Sequence, residues 1–467
     1  MTGARPDVAL PADLVEWMED VGRGRLVGAD RRPGGARKEA WFVDLEQADG
    51  VVAPLFLRYD RSDPSLTFDP WTLHREAVVY LALQDTEVPV PRVLGVHTTH
   101  QAMLSERVTG ESWFSRIVDP DEQVATAKHF IEALAALHRL DPHVLALPGF
   151  PEPTDVPALV RHELDEWDLI IEQRGGPVDP QLAFSLAWLR RNIPDYEGPA
   201  VLVQGDTGPG NFMYADGKVV AVVDWELAHL GDPMDDIAWL SLRSTQEPFT
   251  DFAARLREYE ALTGNPIDEQ RVRYYQVMAE SKMQVMGHRP AGADRAATST
   301  EGGGGDVGNG LIYGMLHRRL WFEAMAAFVG LDLDVPDAPS IAPDRGDHAW
   351  LYDALLTQLR DVVVPRITDP LALQRSKGFA RIIKYLRDID ERGDVFAEQE
   401  LADIETLLGH PLAALADGRA AVADAVRRGE LADIDYLRYL WHRTWRDNEL
   451  MRSASGALAD RHWPELR

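Results

Sequence analysis

The stretch of sequence that decides the fold is AVLVQGDTGPGNFMYADGKVVAVVDWELAHLGDPMDDIAWL, residues 200–240. It opens with a short apolar strand, VLVQ, and continues into a loop, GDTGPGN, that carries three glycines. The next segment, FMYADGKVVAVV, has the pattern of a β-hairpin around Asp216-Gly217, a dipeptide favoured in tight hairpin turns. Helical periodicity begins near residue 234, so the stretch predicts strand, loop, hairpin and helix in that order.

Three polar residues of this stretch are predicted to meet at one cleft. Asp206 and Asn211 lie five residues apart on the glycine loop, and Asp224 ends the apolar second strand of the hairpin. Because the hairpin turns the chain back, we expect Asp224 to lie beside the loop. Two carboxylates and an amide oxygen suit a hard cation such as Mg²⁺, which keeps waters for a substrate phosphate. The alternative is that all three are turn residues, since glycine loops and Asp-Gly pairs are common turn chemistry.

Composition and charge narrow the class of protein. The chain has 467 residues, of which 45% are hydrophobic and 27% charged, with a net charge of −28 and no cysteine. An excess of carboxylates repels phosphate backbones and acidic membrane surfaces, so we expect neither a nucleic-acid nor a membrane partner. The lack of cysteine excludes thiol nucleophiles, iron–sulfur clusters and thiolate zinc sites. No apolar run has the roughly 18 residues of a membrane span and the start has no signal core, so we expect a cytoplasmic protein.

The order of strand and helix patterns divides the chain into two lobes and an added domain. Residues 1–110 are β-rich, with a hairpin predicted at Ala48-Asp49-Gly50, and residues 111–330 are mainly helical. A segment rich in proline and aspartate, 331–347, is predicted to be a linker. Residues 348–467 show helical periodicity only. We therefore expect an α+β protein with a C-terminal all-α domain.

Two expectations concern this C-terminal domain. Leu351, Leu355 and Leu359 recur four residues apart, as do Ile382 and Leu386, and such apolar stripes bury against a neighbouring surface. That surface is either another helix of the domain or the second lobe. Because the linker composition indicates few contacts across it, we expect residues 348–467 to fold independently rather than to dock tightly.

The stretch 200–240 resembles the catalytic core of protein-kinase-like phosphotransferases. More closely, GDTGPGNF, VVAVVDWELAHLGDP and DDIAWL resemble, in that order, the aminoglycoside phosphotransferase and choline kinase-like family of small-molecule kinases. The resemblance implies a two-lobed protein-kinase-like fold that binds ATP and Mg²⁺ between the lobes. It implies that Asp206 is the catalytic base, that Asn211 and Asp224 are Mg²⁺ ligands, that Glu226 contributes to a second metal, and that Asp236 braces the catalytic loop.

The first lobe fits the same template with one departure. Arg58 closes an apolar strand, and Glu76 lies eighteen residues on, in the following helix. The pair resembles the strand-three lysine and its helical glutamate partner, which hold the ATP phosphates. Lysine is rare here, with six among the 48 basic residues, and arginine stands where the family usually has lysine. Arg58 can bind phosphate through the N–H groups of its guanidinium, although arginine does not simply replace lysine. The alternative is that Arg58 is an exposed arginine on an edge strand.

The resemblance implies roles for a few more residues of the nucleotide site. Gly34 and Gly35 would cover the phosphates with backbone N–H groups, although a Gly-Gly pair also occurs in plain hairpin turns. The backbone of Glu106 and Val108, in the segment SERV, would receive adenine as a hinge. Gln204 stands where the family usually has histidine, and we expect a small effect because glutamine also donates and accepts hydrogen bonds.

The implied function is transfer of the γ-phosphoryl group of ATP to a hydroxyl of a small molecule, with Mg²⁺ as cofactor. Aminoglycosides, other antibiotics, sugars, amino alcohols and acyl-type hydroxy compounds all fit the family as acceptors. The alternative function is that of a non-catalytic nucleotide-binding regulator, because Arg58 and Gln204 depart from the family pattern. Retention of Asp206, Asn211 and Asp224 together favours the enzyme.

Overall fold

A computed structural model describes residues 9–32, 38–62, 70–289, 306–336 and 348–467. Gly34, Gly35 and much of the predicted linker lie outside these ranges. Over the described ranges the strands are β1 (Gly24–Arg32), β2 (Glu39–Gln47), β3 (Val52–Asp60), β4 (Val93–Val96), β5 (Gln101–Glu106), β6 (Val201–Val203), β7 (Phe212–Ala215), β8 (Lys218–Val222) and β9 (His229–Gly231). The α-helices are α1 (Ala12–Val21), α2 (Leu73–Leu83), α3 (Pro120–Arg139), α4 (Val156–Arg174), α5 (Pro180–Arg191), α6 (Pro233–Gln246), α7 (Phe252–Thr263), α8 (Glu269–Gly287), α9 (Val307–Val329), α10 (Ala349–Gln358), α11 (Pro370–Leu408), α12 (Leu415–Arg427) and α13 (Asp433–Ser455).

The first lobe is a five-stranded antiparallel sheet in the order β1-β2-β3-β5-β4, accompanied by α1 and α2. In β2 the side chains of Trp41, Val43 and Leu45 are buried in alternation, as expected for a strand with one face on a core. The predicted β2–β3 hairpin forms, and Gly50 at its turn has a φ of +81° that glycine adopts without strain. The sheet packs against α1 through Leu14 and Met18.

The second lobe is mainly helical and carries the stretch 200–240. Strands β7 and β8 form the predicted hairpin, with φ of 51° at Asp216 and 73° at Gly217, as a type I′ turn requires. Strands β6 and β9 form a second short antiparallel pair beside it. Large buried side chains, among them Trp225 and Trp239, fill the core under this hairpin. The two-lobed α+β architecture predicted from the sequence is confirmed.

The C-terminal helices share a hydrophobic core with the second lobe. The rings of Phe184 on α5 and Tyr436 on α13 lie 5.3 Å apart, and the indole N–H of Trp463 donates to the Leu320 carbonyl at 2.8 Å. The indole N–H of Trp441 donates to the carbonyl of Asp334 at 2.6 Å, inside the segment expected to make few contacts. Independent folding of residues 348–467 stays a prediction, and these contacts favour its alternative, tight docking.

The expectation that the two apolar stripes of the C-terminal helices are buried is wrong for most of their residues. Leu351 is 42% exposed, Leu355 52% and Leu386 48%. The long helix α11 instead contributes Phe396 and Ile404 to the interior. Four-residue spacing identifies a helix face, but it does not say whether a partner covers that face. None of the helices in the described ranges is both long enough and apolar enough to cross a bilayer.

Candidate active site

A buried carboxylate, Asp236 at the start of α6, holds the loop that carries the predicted base. Its oxygens accept hydrogen bonds from the backbone N–H groups of Gln204 at 2.9 Å and Gly205 at 3.0 Å, and from the Thr207 hydroxyl. Burial works to raise the pKa of Asp236, but the hydrogen bonds from His138 and Thr207 outweigh it and the pKa is lowered. Asp236 is therefore an ionised brace for the loop, the position that the resemblance implies for it.

Asp206 lies on this loop with both carboxylate oxygens hydrogen-bonded. Arg243 donates from Nε to Oδ1 at 2.7 Å and from Nη2 to Oδ2, and Asn211 donates from Nδ2 to Oδ2 at 2.7 Å. Burial raises the pKa of the Asp206 carboxyl above its ordinary value, although the Arg243 guanidinium opposes the rise. An oriented carboxylate of raised pKa is suited to accept a proton from a hydroxyl.

The sequence pattern did not single out Arg243. It lies seven residues after Asp236 on α6, which is two helical turns, so both side chains face the same loop. The seven-residue spacing from Asp236 is the feature of the sequence that could have indicated Arg243.

Asn211 and the strand end before Asp224 are adjacent, as predicted. The N–H of Val223 donates to the carbonyl of Asn211 at 2.9 Å, and Gln204 donates from Nε2 to the Val223 carbonyl at 2.8 Å. Gln204 thus anchors the residue that precedes Asp224, which is a structural role. Asp224 has a φ of +63°, a conformation that costs a non-glycine residue energy and that clusters at functional sites. Asn211 Nδ2 donates to both the carbonyl and the carboxylate of Asp206, so the amide oxygen is the atom of Asn211 that could ligate a cation.

Three neighbouring carboxylates beside the cleft could together hold a cation. Oxygens of Glu76, Asp224 and Glu226 lie within 4.8 Å of one another. Asp224 Oδ1 and Glu76 Oε1 are buried and accept no hydrogen bond from the described residues. Burial and the Asp224 charge raise the pKa of Glu226 to about 7, with Lys38 opposing the rise. Buried carboxylate oxygens without a donor need a positive partner, and an all-oxygen set fits Mg²⁺.

Arg58 lies beside this carboxylate cluster. Its Nη2 is 3.8 Å from Glu76 Oε2 and 4.0 Å from Asp224 Oδ1. Burial works against its charge, but the Glu76 and Asp224 carboxylates raise the pKa of Arg58 above its ordinary value. The alternative of an exposed edge-strand arginine is wrong, because β3 lies between β2 and β5 and only 18% of the Arg58 side chain is exposed.

Lys38 enters the same cluster from the residue before β2, and the sequence pattern did not single it out. Its Nζ is 2.5 Å from Glu226 Oε2 and 3.4 Å from Glu76 Oε2. The ladder between β2 and β3 pairs Ala40 with Arg58, so the start of β2 lies next to Arg58. Two features of the sequence could have indicated Lys38. Lysine is rare in this chain, and Lys38 precedes the strand next to the one that carries Arg58, where the family usually has lysine.

The predicted hinge lies where the chain leaves the sheet. Glu106 ends β5, its N–H donates to the Arg92 carbonyl at 3.0 Å, and its side chain accepts from the Arg92 N–H at 3.0 Å. Glu111, three residues beyond Val108, pairs through its backbone with Tyr214 of the second lobe. The segment from Glu106 to Val108 therefore connects the lobes. Gly34 and Gly35 lie outside the described residues, so the structure does not place them.

A cleft of about 1260 Å³ opens beside these groups. Asp206, Asp224 and Glu226 line one part of it. Its remaining wall combines apolar and basic side chains, among them Trp239, Leu242, Met283, Met286, Arg289 and Arg318. A space of this size exceeds that of an ordinary ligand pocket, roughly 300–1,000 Å³. The cleft can therefore admit a nucleotide phosphate and an acceptor together.

The fold and the site define a protein-kinase-like phosphotransferase. The family model described as "Phosphotransferase enzyme family" matches residues 30–275, which is more than half of the chain. The chain therefore belongs to this family of phosphotransferase enzymes.

Sequence relatives of the chain are longer proteins. Acyl-CoA dehydrogenase family member 11 of Rattus norvegicus is 29% identical over 213 residues, which cover 44% of this chain and 27% of that protein. The Homo sapiens protein of the same name is 27% identical over 227 residues, which cover 44% of this chain and 29% of that protein. The chain thus spans less than a third of the length of these relatives. Among solved structures, the macrolide 2′-phosphotransferase MphH from Brachybacterium faecium matches 59% of this chain and 91% of its own, with 19% identity and a TM-score of 0.43.

Proposed function

We propose that the protein transfers the γ-phosphoryl group of ATP, in the presence of Mg²⁺, to a hydroxyl of a small molecule. The observation that carries the proposal is that two kinds of carboxylate line one cleft. A carboxylate oriented by Arg243, that of Asp206, lines the same space as the carboxylates of Asp224 and Glu226. In the proposal one group accepts a proton and the others hold a cation, and both contribute to phosphoryl transfer.

In the proposed reaction the acceptor oxygen forms a bond to the γ-phosphorus as the bond to the β,γ-bridging oxygen breaks, and ADP leaves. The hydroxyl proton passes to Asp206, whose plane Arg243 and Asn211 hold. Asp224 and Glu226, with Glu76 beside them, would hold Mg²⁺, which supplies neutralising charge to the phosphate oxygens. Because the transition state is loose, positioning and charge neutralisation provide most of the rate.

The two lobes take different parts in this proposal. Residues 1–110 bind the nucleotide, with the backbone between Glu106 and Val108 as the adenine hinge and Gly34 and Gly35 over the phosphates. Residues 111–330 carry the base and the acceptor site, and residues 331–347 link them to the helices of 348–467.

The acceptor side of the cleft favours an anionic compound. Arg289 and Arg318 line it, and Asp179, 3.3 Å from Arg318, is the acidic residue of that wall. Because Asp179 pairs with Arg318, the excess positive charge of that wall rests on Arg289, which would attract a carboxylate or phosphate of the acceptor. The relatives named for acyl-CoA make coenzyme A thioesters of hydroxy acids one acceptor class with this charge.

Nucleotide binding and turnover test the proposal separately. Calorimetric titration with ATP should give binding that Mg²⁺ strengthens. ATP consumption should then depend on an acceptor in a panel of hydroxyacyl-CoA thioesters, sugars, amino alcohols and aminoglycosides, with mass spectrometry identifying the phosphorylated product. Tight Mg²⁺·ATP binding without a phosphorylated product across the panel would favour the non-catalytic regulator instead.

A further inference from the structure

Lys38 is a buried cation between two carboxylates of the cleft. Only 4% of its side chain is exposed, and its Nζ lies 2.5 Å from Glu226 Oε2 and 3.4 Å from Glu76 Oε2. Lysine is almost never buried to this extent unless it is paired, because removing an ammonium group from water is costly. The burial of Lys38 therefore requires an explanation other than side-chain packing.

Lys38 and Arg58 share one carboxylate oxygen. Arg58 Nη2 lies 3.8 Å from the same Oε2 of Glu76 that Lys38 approaches. Arg58 extends from there toward Asp224, at 4.0 Å, and Lys38 toward Glu226. The two cations thus share Glu76 Oε2, and each contacts one further carboxylate of the cluster that would hold the metal ion.

The alternative explanation is that Lys38 is only a structural tie, that is, a salt bridge that joins the two lobes, since Glu226 belongs to the second lobe. A tie alone would be expected to leave no carboxylate oxygen of the cluster unpaired. Asp224 Oδ1 and Glu76 Oε1 accept no hydrogen bond from the part of the chain that the structure describes. A Mg²⁺ ion bound to Glu226, about 2.1 Å from its ligand oxygen, would compete with the Lys38 ammonium for the same carboxylate charge. Occupation of Glu226 by an ion would weaken the contact of Lys38 Nζ with its nearest partner and make the ammonium group available to a phosphate oxygen.

On the basis of the proposed function, we propose that Lys38 is the ammonium group that binds the nucleotide phosphates in this chain. Its Nζ exchanges Glu226 for phosphate oxygens when Mg²⁺·ATP binds, while Arg58 remains with Glu76 and Asp224. The lysine contact that the chain lacks on β3 is thus supplied from the start of β2. A compact ammonium on a flexible stem can make this exchange more readily than a bidentate guanidinium.

A matched pair of variants tests the proposal. Lys38→Gln removes the charge but keeps a hydrogen-bond donor for Glu226, and Lys128→Gln makes the same change at a side chain that is 51% exposed on α3. We expect Lys38→Gln to weaken Mg²⁺·ATP binding about 10- to 100-fold, the range for hydrogen bonds to charged groups. Binding of AMP, which lacks the β- and γ-phosphates, should change less than twofold, and Lys128→Gln should match the wild type with both nucleotides.

Equal ATP affinity in Lys38→Gln and Lys128→Gln would overturn the role of Lys38 and leave the proposed function intact. A parallel loss of AMP and ATP binding in Lys38→Gln would also overturn it, in favour of the structural tie. Wild-type protein that binds no Mg²⁺·ATP would instead reject the proposed function, and the role of Lys38 with it.

A labelling experiment on the wild-type protein avoids any effect of substitution on folding. An ATP analogue acylated on its terminal phosphate transfers the acyl group to an amine within reach, forming an amide on lysine Nζ and releasing ATP. Peptide mass spectrometry should find the label on Lys38, and excess ATP should remove it. Exposed Lys128 and Lys218 report the background labelling. Label on these two but not on Lys38, in protein that binds the analogue, would contradict the proposal.

Discussion

Arg243 donates hydrogen bonds to both carboxylate oxygens of Asp206, from Nε to Oδ1 at 2.7 Å and from Nη2 to Oδ2. This bidentate contact fixes the plane of the carboxylate, because two parallel hydrogen bonds allow little rotation. The guanidinium charge favours the ionised form of Asp206, while burial favours the neutral form and prevails, so that the pKa is raised. The proposed base is thus oriented by its partner and made more basic by its burial.

Asp206→Asn should abolish phosphoryl transfer while Mg²⁺·ATP still binds. The amide cannot accept the hydroxyl proton, and general-base catalysis contributes roughly 10²- to 10⁴-fold in rate. Steady-state kinetics and ATP titration measure the two effects. The control is Asp216→Asn, the same change at the exposed hairpin turn, where asparagine tolerates the positive φ. Turnover of Asp206→Asn within about threefold of the control, far below that range, would exclude the role.

Arg243→Lys should lower kcat about 10- to 100-fold with little change in the KM for ATP, because a lysine cannot make the bidentate contact that orients Asp206. The rate of product formation at saturating ATP is the measurement. Arg161→Lys, at a side chain that is 55% exposed on α4, is the control for the arginine-to-lysine change. An unchanged kcat would mean that the contact opens before the reaction and has no part in orienting the base.

Local spacing made part of the site predictable. Asp206, Asn211 and Asp224 lie within one loop and hairpin, so their meeting follows from short-range structure that the sequence pattern specifies. Lys38 and Arg243 reach the same cleft by tertiary packing. Lys38 contacts Glu226 across a separation of 188 residues, and no periodic pattern relates residues so far apart. The exposed stripe on α10 illustrates the same limit, since a helix face can be recognised from sequence without its partner.

Asp224→Asn should weaken ATP binding only when Mg²⁺ is present. The change removes the charge of a proposed metal ligand, and asparagine is chosen over alanine because the φ of +63° suits asparagine better. Titrations with and without Mg²⁺, for wild type and variant, isolate the metal-dependent part of the affinity. If Mg²⁺ strengthens ATP binding equally in the two proteins, Asp224 does not hold the ion.

His442 on α13 should make the C-terminal helices more stable in acid than in base. The carboxylates of Asp403, 3.6 Å from Nδ1, and of Asp334, 3.4 Å from Nε2, raise the pKa of His442 against the effect of burial. A raised folded-state pKa gives stability that is present below the unfolded value, about 6.5, and that is lost as the pH rises through the folded value. The melting temperature of His442→Asn should fall below that of wild type at about pH 5.5 and approach it at about pH 8.5. The exposed His143→Asn should show no such trend, and a constant difference between His442→Asn and wild type would contradict the linkage.

The last prediction concerns the docking of the C-terminal helices on the second lobe. Helices α9 and α11 cross at two glycines, and a Cβ atom on Gly308 would lie 2.3 Å from the carbonyl oxygen of Gly378. Gly308→Ala should therefore force the helices apart and destabilise the protein by about 1–3 kcal/mol, as overpacking does. The control is Gly314→Ala on α9, where a Cβ atom meets nothing within 4 Å. That variant should be neutral or more stable by up to about 1 kcal/mol, because alanine favours a helix.

Chemical denaturation of the full chain measures both variants, and expression of the parts extends the test. If docking is tight, the 348–467 fragment exposes side chains such as Tyr436, which is 2% exposed in the full chain, and should aggregate. The remaining 1–336 fragment should then unfold more easily than the full chain, because α9 loses the partner that covers it. Equal stability of Gly308→Ala and Gly314→Ala, together with a soluble 348–467 fragment that melts cooperatively, would instead establish an independent domain. The shared core and the close glycine crossing lead us to expect docking.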